Sequence, residues 1–269
     1  MQIGVMVDGG EFEFMAAQIR AARDAGYDGV QITPAPIGLA ADMRTLLAET
    51  GLTLFAVGGY MNPLREDPTH LREAIALAAE LGVPVVHTWS GTANEDIFED
   101  DPANVTGAAF DQAVAFLKDV AQWAADANVV VALEPFHHHV ARSPDRLRDL
   151  INAVGSPHLA AAMDPPNFLP VDIAPEVNER MPDMFATLDG KLAIAHAKDL
   201  RVPLEGETEG VLGGVVLPGP GEGIMDYPLY LRLLQEAGVD VITVEHIGPD
   251  KFAAARAVVT TALAADESR

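Results

Sequence analysis

Eight short runs of consecutive apolar, largely β-branched residues recur along this chain, each followed by a longer stretch of helical periodicity. The runs are QIGVMV (2–7), GVQIT (29–33), LTLFAV (52–57), PVVHT (84–88), VVVALE (129–134), LAAAMD (159–164), LAIAHA (192–197) and DVITVE (240–245). A strand with one wet face alternates apolar and polar residues. Uninterrupted apolar runs suit strands covered on both faces, as in a parallel sheet. Parallel neighbours need a crossover of a dozen or more residues. Amphipathic stretches such as EFMAAQIRAARDAG, DPTHLREAIALAAELG and AAFDQAVAFLKDVAQWAADAN supply it. Their closing residues Gly26, Gly82 and Asn128 are helix C-terminal signals. SPDRLRDLINAVG adds Ser143 as N-cap, Pro144 at the first helical position and Gly155 at the end.

Eight such units predict an α/β fold of the (β/α)8 type, a TIM barrel, spanning residues 1–269 as a single domain. With 269 residues, 49% of them hydrophobic, the chain has enough apolar surface for one large core. An open doubly wound sheet is the alternative, weakened because no GxGxxG follows the first run. The longest irregular segment, about 199–224, is rich in Gly, Glu and Pro. It falls after the seventh strand, where a loop of this length is expected to cover a substrate.

Charge and composition narrow the function. The formal net charge is -23, and lysine occurs only at 118, 191, 198 and 251. Such a chain repels phosphate backbones and offers no basic stripe, so nucleic acid is disfavoured and is not expected as a partner. No cysteine is present, which removes disulfides and thiolate metal sites. MQIGVMVDGG has no basic leader region, and no apolar run approaches the ~20 residues of a membrane span. The expectation is a soluble, cytoplasmic protein with no membrane partner. Assembly into a homo-oligomer is left open.

Active sites of such barrels lie at the C-terminal ends of the strands. Four consecutive strands end on chemistry: Glu134, Asp164, His196 and Glu245. An unpaired buried carboxylate costs several kcal/mol. Three on neighbouring strands, with an imidazole among them, call for a cation. Three oxygens and one nitrogen suit a divalent metal ion, with Mn2+ the first choice and Mg2+, Co2+ or Zn2+ also suited.

The motifs VALEPF, MDPPNF, IAHAKD, PGPGEGIMDYPLYLRLL and ITVEHIG, in this order, together with AARDAGYDGVQI near the start, resemble the sugar phosphate isomerase/epimerase superfamily, the xylose isomerase-like barrels. The resemblance covers nearly the whole chain. It implies a metal held by Glu134, Asp164, His196 and Glu245, with Glu134 and Glu245 also serving as the catalytic acid/base pair. The implied activity is that of a sugar, keto-sugar or polyol isomerase or epimerase in carbohydrate metabolism. It abstracts a proton next to a carbonyl through a metal-stabilised enediolate. A lyase or dehydratase on the same scaffold, of the inosose or 3-keto-glycoside type, is the alternative outcome of the same first step. The chain departs from common family patterns at three places: Gln31 stands where many members have glutamate, Asn167 where ketose 3-epimerases have histidine, and Val202, beside Arg201, where they have arginine. The substrate is therefore read only as a small carbohydrate.

Substrate contacts are expected from His87 and Trp89 at the end of the fourth strand, from His138, Asn167 and Lys198, and from Arg201. The triplet His137-His138-His139 looks like a metal site, but consecutive side chains diverge and cannot all face one ion. It reads as a polar loop in which His138 is the member expected to reach substrate hydroxyls. Asp199 and His246 are expected in structural roles, His246 facing the helices. Gly58-Gly59 reads as a tight turn, and LPGPGEG (217–223) as a structural turn because it lacks the Lys-Ser/Thr of a phosphate loop. Two other classes stay open: a three-metal endonuclease barrel, disfavoured by the charge and the few strand-end histidines, and an inactive barrel serving as a binding subunit.

Overall fold

Every predicted run forms a strand in the computed structural model, which describes residues 1–208 and 210–266. The strands are β1 (Gln2–Asp8), β2 (Gly29–Thr33), β3 (Thr53–Gly58), β4 (Val85–Trp89), β5 (Val130–Glu134), β6 (Leu159–Met163), β7 (Leu192–Ala197) and β10 (Val241–Val244). They close in the order β1-β10-β7-β6-β5-β4-β3-β2, each pair parallel. Eight helices alternate with them: α1 (Phe12–Asp24), α2 (Ala40–Thr50), α3 (Thr69–Leu81), α4 (Gly107–Ala127), α5 (Pro144–Val154), α6 (Val177–Thr187), α7 (Tyr227–Glu236) and α8 (Phe252–Asp266). The predicted caps form: the Ser143 hydroxyl accepts from Arg146 N, and Asn128 ends α4 at φ 53°.

Period-two alternation decides what each strand sends inward. In β4 the series is Val85, His87, Trp89; in β5 it is Ala132, Glu134; in β7 it is Ile194, His196 and then Lys198. The lowest members, with Phe55 and Ala162, form an apolar cluster separate from the main sheet-to-helix core. Phe55 needs space that only glycine leaves: a Cβ at Gly29 would lie 2.5 Å from its ring, and one at Gly4 2.8 Å. An alanine-rich, Phe55-filled floor therefore lies beneath the polar residues at the C-terminal rim.

The long segment after β7 contains an antiparallel hairpin, β8 (Val211–Leu212) and β9 (Val215–Val216), extended by a bridge from Arg201 to Val216. Its base is held by Asp199. One carboxylate oxygen accepts from Leu200 N and Met225 N at 2.8 and 2.9 Å, and the other from Gly221 N at 3.0 Å. This gives Asp199 its expected structural role and fixes the LPGPGEG turn. Gly58 and Gly59 do not make the expected tight turn. They leave room for close packing, since a Cβ there would meet Thr33 and Leu71 respectively. Among the described residues no helix is long and apolar enough to cross a membrane.

Candidate metal centre and cavity

Glu134, Asp164, His196 and Glu245 converge at the rim although they come from four strands. Their ligand atoms all lie within 4.8 Å of one another, and all four residues are buried. His196 Nδ1 stands 3.5 Å from Asp164 Oδ2, 3.6 Å from Glu245 Oε1 and 3.7 Å from Glu134 Oε2. These separations are too long for good hydrogen bonds and suit atoms arranged around a shared ion. His196 Nδ1 and Asp164 Oδ1 are both buried without a hydrogen-bond partner. The other nitrogen, His196 Nε2, lies 3.3 Å from Gln31 Oε1. An amide oxygen accepts and cannot donate to it, so the proton belongs on Nε2 and Nδ1 keeps its lone pair for the cluster.

Lys198 completes the centre. Its Nζ donates to Asp164 Oδ2 and Glu245 Oε1, each at 2.5 Å, and the side chain is fully buried. Three carboxylates against one ammonium leave two negative charges, which one divalent ion balances. The donor set, the orphaned imidazole nitrogen and this charge count fit a divalent metal. The cluster can hold one.

The electrostatics separate the two glutamates. Burial, reinforced by Glu245 and Asp164, outweighs the pull of His196 and Lys198 and raises the Glu134 pKa. Burial also pushes Glu245 up, but Lys198 and His196 outweigh it and hold this carboxylate well below the usual range. His196 is raised to about 9, because Glu245 and Glu134 overcome the burial that favours its neutral form. Glu134 is also clamped: the Tyr60 hydroxyl donates to Oε2, and Asn167 Nδ2 donates to Oε1 at 3.0 Å and to Asp164 Oδ2 at 2.7 Å.

Above the cluster opens a cavity of about 250 Å³. Glu134, Glu245, Asn167 and Lys198 form its polar base, Tyr60 and Trp89 one wall, and Phe98 and Phe136 another. Leu212 and Leu217, from the segment after β7, close the remaining side.

Of the expected substrate contacts, Trp89, Asn167 and Lys198 line this cavity. Three others do not. His87 lies one layer deeper, buried and stacked on His196 with ring centroids 4.9 Å apart. Its place two residues before Trp89 puts it on the same inward face, but below the rim. His138 turns away and donates from Nδ1 to Phe98 O at 2.6 Å, while His139 reaches the cavity. Arg201 is held by Glu207 in a two-point ion pair. His246 also departs from expectation. β10 stops at Val244, and His246 takes φ 60°, so its ring borders the cavity and does not enter the helix layer. Tyr60, Phe98 and Phe136 escaped the strand-end reading, and Gln31 entered it only as a departure from the family pattern. Tyr60 follows β3 by two residues, so extending that reading to the first four strands would have found it.

The family model described as xylose isomerase-like TIM barrel matches residues 19–264. This chain belongs to that family. Solved structures share its fold at low sequence identity. A D-tagatose 3-epimerase-like protein aligns with TM-score 0.76 and 17% identity, covering 100% of this chain and 99% of its own. The probable 3-DHS dehydratase AsbF of Bacillus anthracis, involved in petrobactin synthesis, aligns with TM-score 0.73 and 17% identity, covering 97% and 99%. A xylose isomerase-like TIM barrel protein from Mycobacterium smegmatis in complex with magnesium aligns with TM-score 0.69 and 18% identity, covering 96% and 90%. No curated protein matches the sequence significantly. Epimerase and dehydratase chemistry thus both occur on this scaffold, and the fold does not choose between them.

Proposed function

We propose that this barrel is a divalent-metal-dependent sugar isomerase or epimerase that removes a proton next to the carbonyl of a keto-sugar or related polyol. The observation that carries the reading is the buried Glu134-Asp164-His196-Glu245 cluster, with His196 Nδ1 unpartnered, at the base of a small-molecule cavity. A divalent ion held by these four residues would stabilise negative charge developing on the substrate oxygens, with Mn2+ the first choice and Mg2+, Co2+ or Zn2+ as alternatives. The chain's own groups perform the proton transfers. Glu134 and Glu245 would serve as the acid/base pair, one taking the proton and the other returning it. They stand on β5 and β10, with β6 and β7 between them in the barrel, so they would flank a substrate as inversion at one carbon requires. Asn167 and Tyr60 fix the orientation of Glu134. Trp89 offers a flat apolar face to a sugar ring.

A lyase or dehydratase outcome is the second reading. Tyr60 favours it, because a phenol in the cavity can supply the proton a departing hydroxyl or alkoxide needs. Incubation of the metal-loaded protein with candidate ketoses in D2O separates the outcomes. Deuterium at one stereocentre with no other mass change means epimerisation; loss of water or of an aglycone means elimination. Absence of any exchange from protein holding about one metal ion per chain sinks the proposal.

A further inference from the structure

Among the described residues, the cavity lining offers an incoming anion no free side-chain cation. Lys198 is the only lysine or arginine among the described residues that line it, and its ammonium is committed to Asp164 and Glu245. The arginines nearest the rim in sequence are engaged elsewhere: Arg65 with Glu95, Arg142 with Asp100 and Arg201 with Glu207. Glu134 and Glu245 line the same space, and the whole chain carries -23. Apart from a divalent ion held by the cluster, a phosphate or carboxylate group on the substrate would find no fork of side-chain donors in this lining to receive it.

The wall opposite the acidic base is more apolar than hydroxyl recognition requires. Phe98 and Phe136 meet edge to face at 5.6 Å, and Phe98 also meets Trp89 edge to face at 6.4 Å. Leu212 and Leu217 approach from the segment after β7. That segment is tied down over the cavity: His137 Nε2 lies 3.0 Å from Gly213 O, within the hairpin turn. The loop carrying Phe98 is tied down as well, since His138 binds Phe98 O and His139 binds Ile97 O. The histidine triplet thus anchors two apolar walls. A free sugar, hydroxylated all round, leaves such walls facing polar groups. A flat apolar substituent covers them and removes that surface from water.

We infer that the substrate is an uncharged sugar derivative carrying a ring-sized apolar substituent, a glycoside in character, with the sugar over Glu134 and Glu245 and the substituent between Phe98, Phe136, Leu212 and Leu217. This rests on the sugar reading of the site and adds a second, apolar subsite to it.

The chain has two tryptophans, and Trp123 lies on α4 under the Arg72 guanidinium, away from the cavity. Trp123→Phe therefore leaves Trp89 as the single fluorescent reporter in the aromatic wall. Mn2+-loaded protein is titrated with phenyl and methyl β-D-glucopyranosides, phenyl and methyl β-D-galactopyranosides, and glucose 6-phosphate. In at least one sugar series the phenyl glycoside is expected to bind about tenfold or more tightly than its methyl partner, as burial of a ring implies. The phosphate should bind no better than the methyl glycosides. Phe98→Ser with Leu212→Ser should remove the phenyl advantage, and an unchanged circular dichroism spectrum reports that the barrel is intact. Equal phenyl and methyl affinities, tighter binding of the phosphate, or a Trp89 signal that ignores every phenyl glycoside would overturn the inference. Metal content and deuterium exchange on the same protein keep the two readings apart. Exchange without a phenyl advantage refutes the substrate class alone, whereas failure to bind any of Mn2+, Mg2+, Co2+ and Zn2+ refutes the reaction itself.

Discussion

The side-chain oxygen of Gln31 lies 3.3 Å from His196 Nε2, on the side of the ring away from the three carboxylates. It holds the imidazole in the tautomer that leaves Nδ1 free. Outer hydrogen bonds of this kind are worth 10–100-fold in metal affinity. Gln31→Leu, which keeps the side chain's approximate size and removes its acceptor, should weaken Mn2+ binding by about that factor with the fold retained. Isothermal titration with Mn2+ and a circular dichroism spectrum check both halves. Wild-type affinity in the variant would show that Gln31 merely fills space.

Lys198 is expected to act as a built-in counter-ion before metal arrives. Removing one partner of a buried charge cluster costs about 3–5 kcal/mol because the other charges are left uncompensated. Lys198→Met should therefore lower stability to urea by that order in the presence of a chelator. Mn2+ should then stabilise the variant more than it stabilises wild type, since the metal supplies charge that the ammonium no longer does. If the variant matches wild type without metal, the ammonium is not compensating the carboxylates.

His196 sets a pH dependence. Its folded pKa of about 9 exceeds the ordinary 6.5, so its protonated form favours the metal-free folded state. That stability is fully present below about pH 6.5 and is lost as pH rises through about 9. Over the same range a metal competes with fewer protons, so Mn2+ affinity should rise. Melting temperatures from pH 6 to 9.5, with chelator and with Mn2+, should diverge as pH rises, and His196→Gln should flatten the chelator curve. Parallel curves for the wild type would contradict the assignment.

The legibility of this fold from sequence follows from where its information is local. Each buried parallel strand wrote itself as an unbroken apolar run, and each rim residue stood at the end of one. Glu134, Asp164, His196 and Glu245 could thus be found without knowing their mutual distances. Contacts made by barrel closure had no such signature. Gln31 and His196 are 165 residues apart and meet because β1 and β10 join the ends of the sheet. The direction of His138 was set by a carbonyl in the preceding loop, Phe98 O. His246 could not be placed by alternation, because the strand ends two residues earlier and the backbone turns left-handed there. The hairpin of β8 and β9 has two residues per strand, too short for any period to register.

Asp199 offers a test of the segment that closes the cavity. Its carboxylate accepts three backbone N–H groups, from Leu200, Gly221 and Met225, and the side chain is 1% exposed. A buried donor left unsatisfied costs about 1–3 kcal/mol. Asp199→Ala orphans three, so it should loosen the stretch between β7 and α7 before the barrel itself yields. Asp199→Asn keeps one accepting oxygen and should give an intermediate effect. Limited proteolysis followed by mass spectrometry should find accelerated cleavage within residues 200–224 and an intact barrel on either side. The same loosening should free Leu212 and Leu217 from the cavity wall, so phenyl glycoside affinity falls while Mn2+ affinity holds, because Asp199 donates nothing to the metal cluster. If Asp199→Ala resists protease as wild type does, the segment is held by the hairpin and by His137, and the Asp199 carboxylate is not its anchor.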